Sequence, residues 1–426
     1  MSHLEITGRI PLFGEVTASG AKNAALPIMA AALLASAPVR LERVPRVTDV
    51  ATQAALLRHL GLKVAWLDRH TLWLETVDDR SVDAPQKLVR RMRAGFCVLG
   101  PLLARRHRAV VPLPGGCNLG NRPVDLHLKG LAALGATMRI EHGCIIASAE
   151  RLRGASIDLR GPAGPTVTGT ANVISAAVLA RGTTILKGAA TEPEVVDLGR
   201  FLVALGARIE GLGTATVRIE GAPELGGATH RLIPDRIEAA TLLMAGAITA
   251  GSVTVKEVVP RHLASVAEKL AAAGAEVTNG RTSVSLAVRQ PLRAVDIVAQ
   301  VYPGMPTDLQ ALWTALASVS SGKARIRDSV FPARVLHVAE LNRLGAQIDL
   351  HDGCLCVGGN RSLSGARVAG PDLRASAALV LAGLAAEGQT IVERLYHLDR
   401  GYERLDAKLR RLGAQVQRRA NLIPSP

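Results

Sequence analysis

A chain of 426 residues is too long for one ordinary core, so two domains of roughly 200 residues are expected. Hydrophobic residues make up 48% but aromatics only 2%, which argues against gripping single-stranded nucleic acid by base stacking and leaves Ala, Leu, Val and Ile to build the cores. The net charge of +15 calls for anionic partners; its dispersal, with no long basic run, favours small phosphates and carboxylates over nucleic acid.

The N-terminal residues Met1-Ser2-His3-Leu4-Glu5 do not read as a signal peptide. A first short strand, residues 4–10, precedes the repeated part of the chain and is free to close the C-terminal domain. The longest apolar run, residues 24–39, is short and holds Pro27 and Pro38, so no membrane insertion is expected. Cysteines at 97, 117, 144, 354 and 356 include no C-x-x-C pair, which speaks against a disulfide scaffold or a zinc site and for a reducing cytoplasm. Cys354 and Cys356, either side of Leu355, are expected to share one strand face as a buried pair.

A repeat organises the rest of the chain. Leu60-Gly61-Leu62-Lys63-Val64 returns as Leu134-Gly135-Ala136-Thr137-Met138, Leu205-Gly206-Ala207-Arg208-Ile209 and Ala273-Gly274-Ala275-Glu276-Val277. It appears twice more, as Leu344-Gly345-Ala346-Gln347-Ile348 and Leu412-Gly413-Ala414-Gln415-Val416, at a period of about 70 residues. Each copy is placed to end a helix at Gly and hand over to a strand. Six small-residue helices keep step, beginning near Ala21, Met92, Thr168, Arg236, Asp308 and Leu373. Having no polar face, they are expected inside, with sheets and amphipathic helices around them. The six units divide three and three, giving one domain over residues 21–232 and a second over 1–20 plus 233–426.

The starts of these helices carry Lys22, Asn23, Arg93, Arg236, Asp308 and Arg374. A helix start offers free N–H groups and the positive end of a dipole, so such residues suit a multiply anionic substrate in a cleft between the domains. One loop differs from the rest. In Pro114-Gly115-Gly116-Cys117-Asn118-Leu119-Gly120-Asn121-Arg122-Pro123-Val124-Asp125-Leu126-His127, glycines flank a thiol and an arginine follows, a setting that favours a reactive thiolate.

Together these segments resemble the UDP-N-acetylglucosamine 1-carboxyvinyltransferase family. The resemblance is carried by that loop and by Ser19-Gly20-Ala21-Lys22-Asn23-Ala24, Glu192-Pro193-Glu194-Val195-Val196-Asp197, Pro234-Asp235-Arg236-Ile237-Glu238 and Pro306-Thr307-Asp308. Asp372-Leu373-Arg374-Ala375-Ser376 and His397-Leu398-Asp399-Arg400-Gly401-Tyr402-Glu403 complete it, so that nearly the whole chain is covered in order. It implies two inside-out α/β barrel domains, each of three repeated units with buried helices and outer sheets. It also implies transfer of the enolpyruvyl group of phosphoenolpyruvate, a co-substrate, to the sugar 3-hydroxyl of UDP-N-acetylglucosamine, with no metal or organic cofactor.

Residue by residue, the resemblance makes Cys117 the general acid, a thiol that also adds to phosphoenolpyruvate, and Asp308 the acceptor of the hydroxyl proton. It puts Lys22, Arg122 and Arg400 around phosphate and carboxylate, with Arg374 beside them, and gives Asn23 to the tetrahedral intermediate. Arg122, Pro123, Val124, Asp125 and Leu126 form the uridine-binding run, and Arg93, Thr166, Val167, Val330, Arg334 and Asp372 are further substrate contacts. The chain departs from the family at Phe331-Pro332-Ala333-Arg334, where Phe-Glu-Asn-Arg is usual, and at Asn172, where many members have Glu. Another uridine nucleotide as acceptor, or a silent nucleotide-sugar-binding paralogue, stands as the alternative; oligomeric state is not legible.

Overall fold

The computed structural model describes residues 2–114, 124–162, 164–359 and 362–420. They form two compact units: residues 20–233 make one, and residues 2–19 with 234–420 make the other. Each has its own apolar core, the first around Phe96 and Phe201, the second around Trp313.

Among the described residues, the middle of each unit is three buried helices. In the first unit these are α1 (Lys22–Ala31), α2 (Leu99–Arg106) and α3 (Val167–Ala177); in the second, α4 (Arg236–Ile248), α5 (Gln310–Val319) and α6 (Leu373–Ala385). In α4 every residue after Arg236 is buried. Alanine and glycine let such helices pack closely, and the lack of a polar stripe leaves no side facing water. Two expected helix starts differ. Arg93–Val98 and Thr307–Leu309 are 3-10 turns that lead into α2 and α5. For α2 the reason is Pro101, whose ring would meet the carbonyl of Cys97 in a continuous α-helix.

Around the buried helices lie sheets built on one plan. The strand leaving a buried helix takes a parallel edge strand on one side and an antiparallel hairpin on the other. Val39–Glu42, for instance, lies between Ala228–Arg231 and Leu72–Thr76, and Leu62–Trp66 completes the order. Lys323–Asp328 repeats this with Ile297–Ala299, Cys354–Gly358 and Gln347–His351. In the last sheet the hairpin partner comes from the other end of the chain. Ser2–Thr7 sits antiparallel between Gln389–Glu393 and Gln415–Ala420, with Leu4 opposite Val392 and Arg418, the closing role open to that strand from the sequence.

Between these strands run amphipathic outer helices such as Thr48–His59, Pro193–Ala204 and Leu405–Arg411. All six end where the repeat placed them: Gly61, Gly135, Gly206, Gly274, Gly345 and Gly413 have φ between 86° and 109°. At Gly206 an added Cβ would meet nothing within 4 Å, so only the left-handed backbone resists a side chain. Gly206→Ala is therefore expected to cost about 1–2 kcal/mol, read as a lower urea midpoint with unchanged slope; an unaltered midpoint would overturn this reading.

The cysteine pair needs correction. Leu355 is buried, but Cys354 and Cys356 point to the other face and are only half-buried. The two cysteines do share one strand face, but the face toward the core belongs to the leucine. No helix among the described residues is long and apolar enough to cross a membrane.

Candidate active site

In the second unit three of the expected site residues meet at Asp308. The 3-10 turn Thr307–Leu309 at the head of α5 presents it, with its side chain one-quarter exposed. Arg334 Nη1 donates to Oδ1 at 3.1 Å and Arg374 Nη2 to Oδ2 at 2.9 Å. Both arginines are buried. Burial alone would raise the Asp308 carboxyl, but the guanidiniums of Arg374 and Arg334 outweigh it and hold the group far below the usual carboxylate range. Asp308 is thus ionised at any physiological pH, with both oxygens already holding donors. It can orient a hydroxyl and take its proton as positive charge builds on the attacking oxygen.

Each arginine is fixed from behind. Arg374 lies in the first turn of α6, its guanidinium carbon 5.6 Å from the ring centre of Tyr402, whose hydroxyl meets Thr241 Oγ1 at 2.9 Å. The Asp372 carboxylate caps that helix, accepting from Arg374 N at 2.8 Å and Ala375 N at 3.0 Å. Arg334 follows a turn held by buried Asp328, which accepts from Val330 N at 2.9 Å and Phe331 N at 2.7 Å. The other Asp328 oxygen accepts from Thr307 Oγ1 at 2.5 Å, tying this loop to the residue beside Asp308. Val330 is half-buried, and Pro332 and Ala333 are not part of the buried core. The departure from Glu-Asn therefore falls on side chains that leave the Arg334–Asp308 pair intact. Arg400 is half-buried in the turn Leu398–Arg400.

In the first unit Lys22 opens α1. Its Nζ lies 2.7 Å from Asp49 Oδ2, and both side chains are almost wholly buried. Asn23 and Arg93 are half-buried at the starts of α1 and of the turn Arg93–Val98. A second group gathers at the head of α3. Thr166 caps it, Oγ1 accepting from Gly169 N at 3.2 Å, and Val167 beside it is exposed. The preceding hairpin pairs Gly161 with Gly164. Leu126 packs on it so closely that a Cβ on Gly161 would meet Leu126 Cδ1 at 2.8 Å. Val124 and Asp125 begin the helix Asp125–Ala133 that carries Leu126. Leu126 thus packs on the hairpin that leads into Thr166 and Val167. Cys117, Arg122 and Pro123 lie outside the described residues.

Sequence reasoning did not single out Asp49, His127 as a structural group, or the bonds made by Asn172. His127 is buried against Phe96, and burial with the nearby Arg93 charge pushes its imidazole down to about 3, so it is neutral. Cys97 is chemically quiet, its thiol pushed up to about 12 by burial.

Buried helices thus form the centre of each unit, and a carboxylate held between two guanidiniums stands at one helix start. The chain belongs to the enolpyruvyl transferase family described as EPSP synthase (3-phosphoshikimate 1-carboxyvinyltransferase), which it matches over residues 6–421. It is 48% identical over 418 residues to the UDP-N-acetylglucosamine 1-carboxyvinyltransferase of Dichelobacter nodosus, covering 98% of this chain and 99% of that one. The enolpyruvyl transferase NikO from Streptomyces tendae superimposes with a TM-score of 0.88 at 28% identity, covering 98% of each chain. EPSP synthase from Acinetobacter baumannii, at 17% identity, TM-score 0.75 and 99% and 100% coverage, shares the fold. The protein is an enolpyruvyl-transferring enzyme built on two inside-out α/β units.

Proposed function

We propose that this enzyme transfers the enolpyruvyl group of phosphoenolpyruvate to the 3-hydroxyl of UDP-N-acetylglucosamine and releases phosphate. In the cytoplasm this would be the first committed step toward peptidoglycan precursors. The observation that carries the acceptor is the 48% identity, sustained over 98% of the chain, to a relative bearing that name.

In this reading the sugar oxygen attacks C2 of phosphoenolpyruvate as Asp308 takes its proton and Cys117 delivers a proton to C3. The tetrahedral adduct then loses phosphate and a C3 proton, leaving the enol ether. Asp308, held ionised by Arg374 and Arg334, supports the role of proton acceptor. Lys22, Arg122 and Arg400 serve the phosphate and carboxylate, where fixed charge stabilises the intermediate; Asn23 holds its polar atoms. Arg93, Pro123, Val124, Asp125, Leu126, Thr166, Val167 and Val330 bind the nucleotide sugar, with Asp372 and Arg374 lining the reacting end. The reading needs no metal or organic cofactor.

Phosphate release from phosphoenolpyruvate tests it, with UDP-N-acetylglucosamine, UDP-glucose and UMP as acceptors. Release with the first alone is expected. Release only with another uridine nucleotide would move the acceptor, and none with any would leave a nucleotide-sugar-binding protein without turnover. Cys117→Ser is expected to lower kcat by roughly 10²–10⁴-fold and to abolish inactivation by the epoxide fosfomycin. A variant still inactivated by the epoxide would remove Cys117 from this role.

A further inference from the structure

Beneath the nucleotide-binding residues of the first unit runs a chain of polar groups whose direction is set at one end. Asn172, wholly buried in α3, accepts from Gly100 N at 2.9 Å through Oδ1 and donates to the Phe96 carbonyl at 3.0 Å through Nδ2. A backbone N–H only donates and a carbonyl only accepts, so these partners fix which way round the amide sits. The second Nδ2 hydrogen points at His127 Nδ1, 2.9 Å away. That nitrogen must therefore be the acceptor. Since the ring is neutral, its proton is on Nε2, which lies 3.2 Å from Thr168 Oγ1. Thr168 receives this hydrogen bond, and its own proton is left for another acceptor.

Thr168 sits in the first turn of α3, beside Thr166 and Val167. Backbone N–H groups and the positive end of the helix dipole favour an electron-rich oxygen there. We propose that Asn172 is a positioning residue of the nucleotide site: by fixing the His127 tautomer it commits the Thr168 hydroxyl to donate to an oxygen of the bound uridine nucleotide. This rests on the acceptor being a uridine nucleotide, as proposed above.

Two measurements test this on the full chain. Nitrogen-15 correlation spectra, with His127 assigned by the loss of its signals in His127→Gln, are expected to show Nδ1 bare and Nε2 protonated; the reverse would overturn the proposal. Calorimetric titration should find UDP-N-acetylglucosamine bound about tenfold more weakly by Thr168→Val, with Thr168→Ser restoring affinity. Asn172→Asp should weaken binding comparably, and the double variant Asn172→Asp, Thr168→Val should bind no worse than either single one. Uridine and UMP as ligands locate the acceptor: loss with both puts it on the nucleoside, loss with UMP alone on the phosphate. Unchanged affinity in Thr168→Val for all ligands would refute the proposal. Failure of the wild type to bind any uridine nucleotide would instead sink the functional reading, and the tautomer spectrum would still stand.

Discussion

Asp308→Asn is expected to lower kcat by roughly 10²–10⁴-fold, the usual range for removing a positioned general base. Asparagine keeps the shape of the side chain but cannot take the hydroxyl proton. It also leaves two buried guanidiniums without their carboxylate, and breaking a buried ion pair costs about 3–5 kcal/mol. Because Asp308 is one-quarter exposed while Arg334 and Arg374 are buried, the lower end of that range is expected. Kinetics and urea unfolding of the same variant separate the effects. The pH dependence gives a second check. A carboxyl whose folded value is depressed adds stability above its unfolded value, near ~3.9 for Asp, and loses it as pH falls through the folded value. The native pair is therefore intact from neutrality down to about pH 4. Any acid limb of kcat/KM between about pH 5 and 8 must come from another group; a limb there that vanished in Asp308→Asn would contradict the ion-pair geometry.

Lys408→Met should produce the largest loss of stability, about 3–5 kcal/mol at neutral pH. Lys408 Nζ lies 2.8 Å from both oxygens of Glu238, which is buried in the first turn of α4, and 2.7 Å from Ser19 Oγ. Ser19 N also donates to Glu238 at 2.6 Å. Burial pushes the Glu238 carboxyl up, and Lys408 opposes that push. Without the lysine it rises further. A carboxyl raised in the folded state contributes stability that is complete below its unfolded value, near ~4.3, and is lost as pH rises through the folded value. The deficit of the variant should thus shrink as the pH is lowered from neutrality and Glu238 takes up its proton. Urea melts at several pH values decide it. A deficit independent of pH would show that lost packing of the lysine stem, and not the unpaired charge, is responsible. Glu238→Gln added to Lys408→Met should restore much of the stability.

The Leu-Gly-Ala repeat carried most of the architecture because it marks a backbone event, a helix ending in a left-handed residue, that depends on local sequence alone. The six glycines with positive φ bear this out. Helix starts were less legible, since a 3-10 entry such as Arg93–Val98 depends on how Pro101 and its neighbours share one turn. Of the expected site residues, Asp308 and Arg374 stand out in the sequence by their place at helix starts. Arg334 came only through family likeness, because nothing in its own stretch announces a partner 26 residues earlier. Thr166 and Asp372 turned out to be helix caps as well as members of the expected site, two roles that one sequence position cannot distinguish. The bonds of Asn172 were invisible for a plainer reason. They join residues 45 to 76 positions apart, and polar residues in an apolar helix give no hint of which distant groups will satisfy them.

The strand Ser2–Thr7 has a bearing on biogenesis. It is made before residues 20–233, yet the strands it lies between, Gln389–Glu393 and Gln415–Ala420, are made after them. Among the described residues, every sheet of the unit within 20–233 finds its partners inside that range, so that unit can fold while translation continues. The other must wait, with Leu4 and Ile6 uncovered until their partner strands are made, and this segment is where the growing chain most needs chaperone protection.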